Sequence, residues 1–173
     1  YALESGDSVH DFDVVAFSIG YEMAYTTVLD MLDMSGIPVR SSQRPDLLPL
    51  VIAGGSSTVN AEPITPFIDL FILGEGEEVN NELLTLLRQA KSEGWSKHDF
   101  LLKATQLGGI YVPSLYDVDY NADGTVKRIT AREGAPEKVV KRVITDFDAV
   151  PYPTNPIVPS TEVVHDKVSL ELF

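Results

Sequence analysis

Three short apolar runs, each ending at a turn that contains glycine, constrain the fold of this chain more than any other feature. The runs are DVVAFS from Asp13, LVIA from Leu50 and LFIL from Leu70. Continuous runs of this length are typical of strands that are buried on both faces of a parallel sheet. Apolar residues at helical spacing follow the first and third runs, over residues 25–34 and 77–91. Strands that alternate with helices predict right-handed crossovers, and therefore an α/β fold with a doubly wound, mostly parallel sheet.

The turns after these runs lie at the carboxyl edge of the predicted sheet, which is where folds of this class bind ligands. After the second run, Gly54, Gly55 and Ser56 offer backbone amides to an anion or allow a large ligand to approach closely. The turn has neither the lysine of a phosphate-binding loop nor the G-x-G-x-x-G spacing of a dinucleotide site. Nucleotide binding therefore has only weak support at this turn, and two further interpretations stay open: a tight structural turn, or contact with a larger and flatter ligand.

The turn after the third run carries carboxylates where an anion would otherwise sit. Gly74, Glu75 and Gly76 are followed by Glu77 and Glu78 at the start of the predicted helix. Carboxylates in the first turn of a helix complement its dipole, by roughly 0.3–1 kcal/mol each when exposed. That role explains Glu77 and Glu78 but not Glu75, which precedes the helix. We expect the Glu75 carboxylate to accept hydrogen bonds either from loop amides or from a ligand.

The second half of the chain predicts a different organisation. A helix is expected over residues 97–106, and the turn NADG from Asn121 indicates a β-hairpin. Short strands are predicted over residues 110–112, 116–120, 126–130 and 139–144.

The last segment predicts a linker and the start of another domain. Four prolines within VPYPTNPIVP, from Val150, indicate a stiff extended linker, and VSLELF at residues 168–173 alternates like a strand. The sequence therefore predicts an α/β domain at residues 1–109, a β-hairpin extension at 110–148, and a linker with the first strand of a truncated domain at 149–173.

Composition excludes several classes of function. The 173 residues include no cysteine, which excludes disulfides, thiol catalysis and cysteine-ligated metal within this chain. The formal charge of −13 disfavours direct binding of nucleic acid. No apolar run approaches the roughly 20 residues that span a bilayer, and the start does not resemble a signal peptide, so we expect a cytoplasmic protein without membrane contact. The three histidines, His10, His98 and His165, are scattered along the sequence, so no metal site is predicted. The sequence has no G-x-S-x-G nucleophile turn, and no catalytic residue is predicted.

Three longer segments together resemble one known family. They read DFDVVAFSIGYEMAYTTVLDMLDMSGIP, PLVIAGGSSTVNAEPITPFIDLFILGEGEE and EVVHDKVSLELF. The Gly54-Gly55 turn, residues 60–63 (NAEP) and the G-E-G-E turn carry most of the specificity. In this order the segments resemble radical S-adenosylmethionine (radical SAM) proteins, Fe–S oxidoreductase-like, with an N-terminal cobalamin-binding-like domain. The resemblance covers most of the chain.

The resemblance implies cofactors that belong to a longer parent protein. In this family a C-x-x-x-C-x-x-C motif follows the strand that corresponds to VSLELF and binds a 4Fe–4S cluster, which cleaves S-adenosylmethionine to a radical. The chain is therefore expected to be an N-terminal fragment that ends before those cysteines and has no cofactor of that kind itself. The implied fold is cobalamin-binding or flavodoxin-like. The implied cobalamin contacts are Gly54, Gly55, Ser56, Gly74, Glu75 and Gly76, without histidine ligation, because the D-x-H-x-x-G motif is absent.

These implications give a functional hypothesis with one alternative. The chain is expected to be an accessory domain that shapes or caps the active site of a radical SAM oxidoreductase or transferase, without catalysis of its own. Its expected partner is the missing radical SAM barrel of the parent. Because the family's first strand and helix have no counterpart here, we also expect an incomplete sheet whose unpaired edge associates with another copy. The alternative is a non-enzymatic α/β module that binds a nucleotide or a protein at its turns.

Overall fold

The chain folds around one four-stranded mixed sheet. The structure is a computed structural model and describes residues 1–3, 5–132 and 134–150. The strands lie in the order β1 (Val14–Ser18), β2 (Leu50–Gly54), β3 (Leu70–Ile72) and β4 (Ile110–Tyr111). The first three are parallel, and β4 pairs antiparallel with β3. The prediction of an α/β fold with a mostly parallel sheet is therefore confirmed.

Three α-helices of the described residues cover the two faces of this sheet. They are α1 (Tyr25–Met34), α2 (Val79–Glu93) and α3 (Lys97–Ala104). Side chains alternate along β2, so that Val51 packs with Leu32 on the α1 face while Leu50 packs with Leu83 on the α2 and α3 face. Full burial of such a side chain contributes about 1.5–3 kcal/mol, so both faces stabilise the sheet.

The direction of β4 follows from the two consecutive helices that precede it. Gly94, which adopts the left-handed conformation, follows the last residue of α2, and Ser96 precedes α3 and accepts a hydrogen bond from the Asp99 amide at 3.1 Å through its hydroxyl. A single crossover helix returns the chain to the amino edge of a sheet, but a second helix carries it back to the carboxyl edge. There the Leu73 amide donates to the Gly109 carbonyl at 2.7 Å, and β4 runs back beside β3.

A separate two-stranded sheet follows. Strands β5 (Tyr116–Tyr120) and β6 (Val126–Ala131) pair antiparallel, which confirms the predicted hairpin. The strand predicted over residues 139–144 is wrong, because within the described residues this segment makes only an isolated parallel bridge between Arg142 and Gly74. Its β-branched residues do not mark a buried strand, since Val140 and Val143 are 68% and 53% exposed.

The predicted division of the chain stays a prediction. Ile110 and Tyr111 belong to the main sheet, so structurally they go with the α/β part rather than with the hairpin. Residues 151–173, which hold most of the predicted linker and the VSLELF strand, lie outside the described residues. Across the part that is described, no helix is both long enough and apolar enough to cross a membrane.

Strand β1 lies at one edge of the described sheet. The Asp13 carbonyl accepts the Leu50 amide at 2.9 Å, and the Ile19 amide donates to the Gly54 carbonyl at 2.7 Å, so these backbone groups point towards β2. Because backbone direction alternates along a strand, the polar groups of Val14, Ala16 and Ser18 point away from β2. Among the described residues, β2 is the only strand that pairs with β1. A cleft of about 340 Å³ beside Ala16, bordered by α2, leaves part of this strand's face open.

Candidate functional site

The predicted site lies where β1, β2 and β3 end. A pocket of about 310 Å³ opens at this carboxyl edge. Its lining includes four of the six predicted contact residues, Gly54, Gly55, Gly74 and Gly76. Ser18 and Asn80 contribute exposed polar side chains, and no charged residue of the described chain lines the pocket. Ser56 and Glu75 are close in sequence but outside the lining.

The turn after β2 contains glycine at position 55 because it packs directly on the turn after β1. Gly55 has φ of 102°, and a Cβ at this position would lie 2.6 Å from the Ile19 carbonyl oxygen. The Ser57 amide donates to that oxygen at 3.0 Å, and the Ser56 hydroxyl donates to the Gly20 carbonyl at 2.9 Å. These contacts account for the glycine and for the Ser56 hydroxyl without a ligand.

The turn after β3 contains glycine at position 74 for a similar reason, because a segment from much later in the sequence crosses it. Gly74 has φ of 96°, and a Cβ there would overlap the backbone of Arg142. The Arg142 amide donates to the Leu73 carbonyl at 2.8 Å, and its carbonyl accepts the Glu75 amide at 3.2 Å. We call residues 142–144 the crossing segment.

Side chains fix the crossing segment at two further points. The Glu75 carboxylate accepts the backbone N–H of Ile144, which is buried. The Arg142 guanidinium contacts Glu78 at 2.8 Å and Glu82 at 2.6 Å, both near the start of α2. Glu75 therefore accepts a hydrogen bond from the chain itself, which is one of the two roles expected from the sequence. Contact between Glu75 and cobalamin stays a prediction.

A second cavity, of about 240 Å³, lies beside this edge and has no counterpart in the sequence predictions. The Tyr111 hydroxyl donates to Glu62 Oε1 at 2.9 Å, and the Tyr111 and Tyr116 rings are 5.2 Å apart. Burial, followed by the hydrogen bond to Glu62, raises the pKa of Tyr111 well above its ordinary value. Glu62 lies in the NAEP segment, but its partner is 49 residues away, so no local pattern indicated the pair.

The two histidines that the structure describes, His10 and His98, do not assemble a metal centre. His10 lies before β1, and His98 lies in α3 at the opposite, amino-terminal edge of the sheet. His165 is outside the described residues. Within the described ranges, no group of three or more His, Asp or Glu side chains has metal-binding geometry.

These features define the class of this protein as a mixed α/β domain with a glycine-lined carboxyl edge. The chain matches the family described as radical SAM proteins, N-terminal, over residues 1–113. It therefore belongs to that family. No curated protein and no solved structure gives a significant match.

The family implies a 4Fe–4S cluster and S-adenosylmethionine in the parent protein. The residues of this chain do not fit the cluster, because such clusters are held by cysteine thiolates and the sequence has none.

Proposed function

We propose that this chain is the accessory N-terminal domain of a radical SAM iron–sulfur enzyme and that its carboxyl edge caps the active site. The observation that carries the proposal is the uncharged, glycine-lined pocket of about 310 Å³ at that edge. The crossing segment supports it, because Glu75 and Arg142 hold residues 142–144 against the same edge. A radical intermediate benefits from a site closed to water, which a capping domain supplies.

A longer enzyme that joins this domain to a radical SAM catalytic part tests the capping role. Ser18 lines the pocket and is exposed, so Ser18→Trp fills the pocket without disturbing the core. After anaerobic reconstitution of the cluster, we expect this variant to cleave S-adenosylmethionine at least fivefold more slowly. Ser92→Trp, on an exposed position near the end of α2, is the matched control and should stay within twofold. Equal rates for both variants would contradict the proposal.

Cobalamin is the ligand that we propose for the pocket, as part of a cobalamin-binding, flavodoxin-like fold. Glycines at positions 54, 55, 74 and 76 allow a flat macrocycle to approach the backbone closely. The volume lies at the lower end of ligand pockets, so only one side of the corrin would enter. Among the described residues no histidine lines the pocket, and the sequence has no D-x-H-x-x-G motif, so we expect binding through the macrocycle without histidine coordination.

Calorimetry with hydroxocobalamin tests the ligand separately from the cap. We expect saturable binding to the isolated chain, weakened by Ser18→Trp and unchanged by Ser92→Trp. S-adenosylmethionine should give no heat of binding, because its expected site lies in the catalytic part. Absence of cobalamin binding would show that cobalamin is not the ligand of the pocket. The capping role would then still be tested by the enzyme assay.

The free edge of β1 favours a second candidate function, that of a protein-binding module. The backbone groups of Val14, Ala16 and Ser18 point away from β2 and are available for strand addition. We propose that a second copy of the chain occupies this edge. The nucleotide form of this alternative has less support, because no cation lines the carboxyl-edge pocket within the described chain.

A further inference from the structure

A third cavity, of about 290 Å³, lies at the amino-terminal edge of the sheet, opposite the candidate site. The loop before β2, the start of β3 and the first turn of α3 surround it. Its lining includes a buried charged cluster formed by Arg44, Asp69 and Lys97, which are 5%, 3% and 9% exposed.

The Asp69 carboxylate is the centre of this cluster. One oxygen, Oδ1, lies 3.0 Å from the Arg44 guanidinium and 3.0 Å from Lys97 Nζ. The other oxygen accepts the Val51 amide at 2.8 Å. Asp69 directly precedes β3, so the carboxylate joins the sheet to both cations.

The cluster carries more positive than negative charge. Two cations face one buried carboxylate, so the buried groups alone have an excess of one positive charge, and the exposed carboxylate of Asp46 acts on Lys97 only weakly. Burial lowers the pKa of Lys97, and the positive charge of Arg44 lowers it further. The negative charges of Asp69 and, more weakly, of Asp46 raise the pKa but do not cancel the effect of burial. In a chain with a formal charge of −13, a buried cationic excess is unexpected and costs free energy unless an anion balances it.

Hydrogen-bonding capacity also remains in the cluster. Arg44 donates to the carbonyls of Pro38, Val39 and Phe67 and to Asp69, but its buried Nε–H has no partner among the described residues. Lys97 Nζ donates to the Arg44 carbonyl at 2.8 Å and to Asp69, which uses two of its three N–H groups.

The mouth of the cavity adds side chains that suit an oxyanion. Ser42, His98 and Ser114 are exposed and line it together with the buried cluster. Hydroxyl groups and a cation at one cavity are the groups that bind phosphate or carboxylate oxygens.

We propose that this cavity binds a small oxyanion, a phosphate or carboxylate group, that balances the excess charge of the Arg44–Asp69–Lys97 cluster. The anion accepts hydrogen bonds from Lys97 Nζ and from the hydroxyls of Ser42 and Ser114. If the cluster serves only to hold β3, α3 and the loop before β2 together, the cavity has no preference for oxyanions over chloride.

Thermal unfolding and amide NMR spectra of this chain distinguish the two cases. The probes are inorganic phosphate and acetate, each titrated at constant ionic strength against sodium chloride. We expect a saturable rise in Tm of about 3–6 °C at roughly ten times Kd, with amide shifts confined to residues around the cavity. A larger response to phosphate identifies a phosphate group, and a larger response to acetate identifies a carboxylate. No response beyond that of chloride overturns the proposal.

Variants locate the binding. Lys97→Met should abolish the response, and the double variant Ser42→Ala, Ser114→Ala should weaken Kd at least fivefold while leaving the buried cluster intact. Ser92→Ala, at an exposed serine far along α2, is the matched control. If Lys97→Met does not fold, the serine variants still decide the question. Kd unchanged in the double serine variant would overturn the proposed site.

Discussion

At the scale of single residues, Glu75 has a role that its position before a helix does not explain. Its carboxylate accepts the backbone N–H of Ile144 and so ties the turn after β3 to the crossing segment. We expect Glu75→Ala to lower the free energy of unfolding by about 1–2 kcal/mol, because the buried amide of Ile144 loses a charged acceptor. Denaturant unfolding measures this change.

The same turn supplies the control for Glu75. Glu77 is exposed and its side chain makes no hydrogen bond or ion pair within the described chain, so Glu77→Ala should change stability by no more than about 0.5 kcal/mol. Glu75→Gln keeps an acceptor oxygen and should fall between the two. A Glu75→Ala loss no larger than that of Glu77→Ala would refute the assigned role.

Tyr111 makes the free energy of unfolding depend on pH in the alkaline range. Its pKa is raised in the folded chain, by burial first and then by the hydrogen bond to Glu62, so folding favours the neutral phenol. The unfolded chain releases this proton near pH 10, and stability falls as the pH rises above that value because the folded chain still holds the proton. We expect Tyr111→Phe to reduce this fall, measured as the free energy of unfolding between pH 9 and about 11.5.

Tyr120 is the matched control because its side chain is 62% exposed on the hairpin. Tyr120→Phe should leave the alkaline fall of stability as in the unmodified chain. The proposed cause would be rejected if Tyr111→Phe and Tyr120→Phe gave the same pH profile.

Local pattern could predict the glycine turns but not what packs on them. Gly55 and Gly74 are recognisable as turn residues because each ends an apolar run and glycine adopts backbone conformations that other residues avoid. The partner of Glu75 is 69 residues away and the partner of Tyr111 is 49 residues away. Residues so far apart in sequence produce no periodic pattern, so these two contacts could be identified only from the tertiary structure.

At the scale of elements, the strength of a hydrophobic pattern decided what could be predicted. The predicted bounds of α1 match the structure, since Val28 and Leu32 repeat at helical spacing and are both buried. Strand β4 is two residues long, and its antiparallel direction depends on the path of α2 and α3 rather than on its own sequence. Residues 139–144 have β-type composition but no neighbouring strand to extend along.

Arg142 connects two elements that are far apart in sequence. Its guanidinium bridges Glu78 and Glu82 of the α2 region, while its backbone pairs with the turn after β3. We expect Arg142→Ala to cost about 1 kcal/mol and to speed hydrogen exchange at the amides of Arg142 and Ile144 at least tenfold. Exchange mass spectrometry or NMR measures the second effect.

Arg128 provides the comparison for Arg142. It forms an exposed ion pair with Asp119 at 3.5 Å on the hairpin. Arg128→Ala should leave exchange in the crossing segment unchanged and cost at most about 0.5 kcal/mol. Slow exchange at Ile144 in the Arg142→Ala chain would show that the ion pairs do not hold this segment.

At the scale of the whole molecule, the pockets at the two edges of the sheet differ in charge. The carboxyl-edge pocket is lined by uncharged residues, whereas Arg44 and Lys97 lie buried at the amino edge. The remaining surface carries the acidic excess that gives the chain its formal charge of −13. Long-range repulsion therefore opposes contact between copies, and any association at β1 must overcome it.

Association through β1 is expected to strengthen with salt, which separates it from contacts held by ion pairs. Added sodium chloride screens the repulsion between two acidic copies, so sedimentation equilibrium should show the dimer Kd falling as salt rises from 0.05 to 0.5 M. Ala16→Pro removes a backbone donor that points away from β2, and edge strands tolerate proline there. We expect this variant to remain folded and monomeric.

Ala122→Pro is the matched control for the edge substitution. Ala122 follows Asn121 in the hairpin turn, at the second position of a turn closed by the Gly124 amide and the Asn121 carbonyl at 3.0 Å, a position that favours proline. This variant should associate as the unmodified chain does. A chain that stays monomeric at every salt and protein concentration would show that the edge of β1 does not bind a second copy, while equal dimerisation of both proline variants would move the contact away from β1.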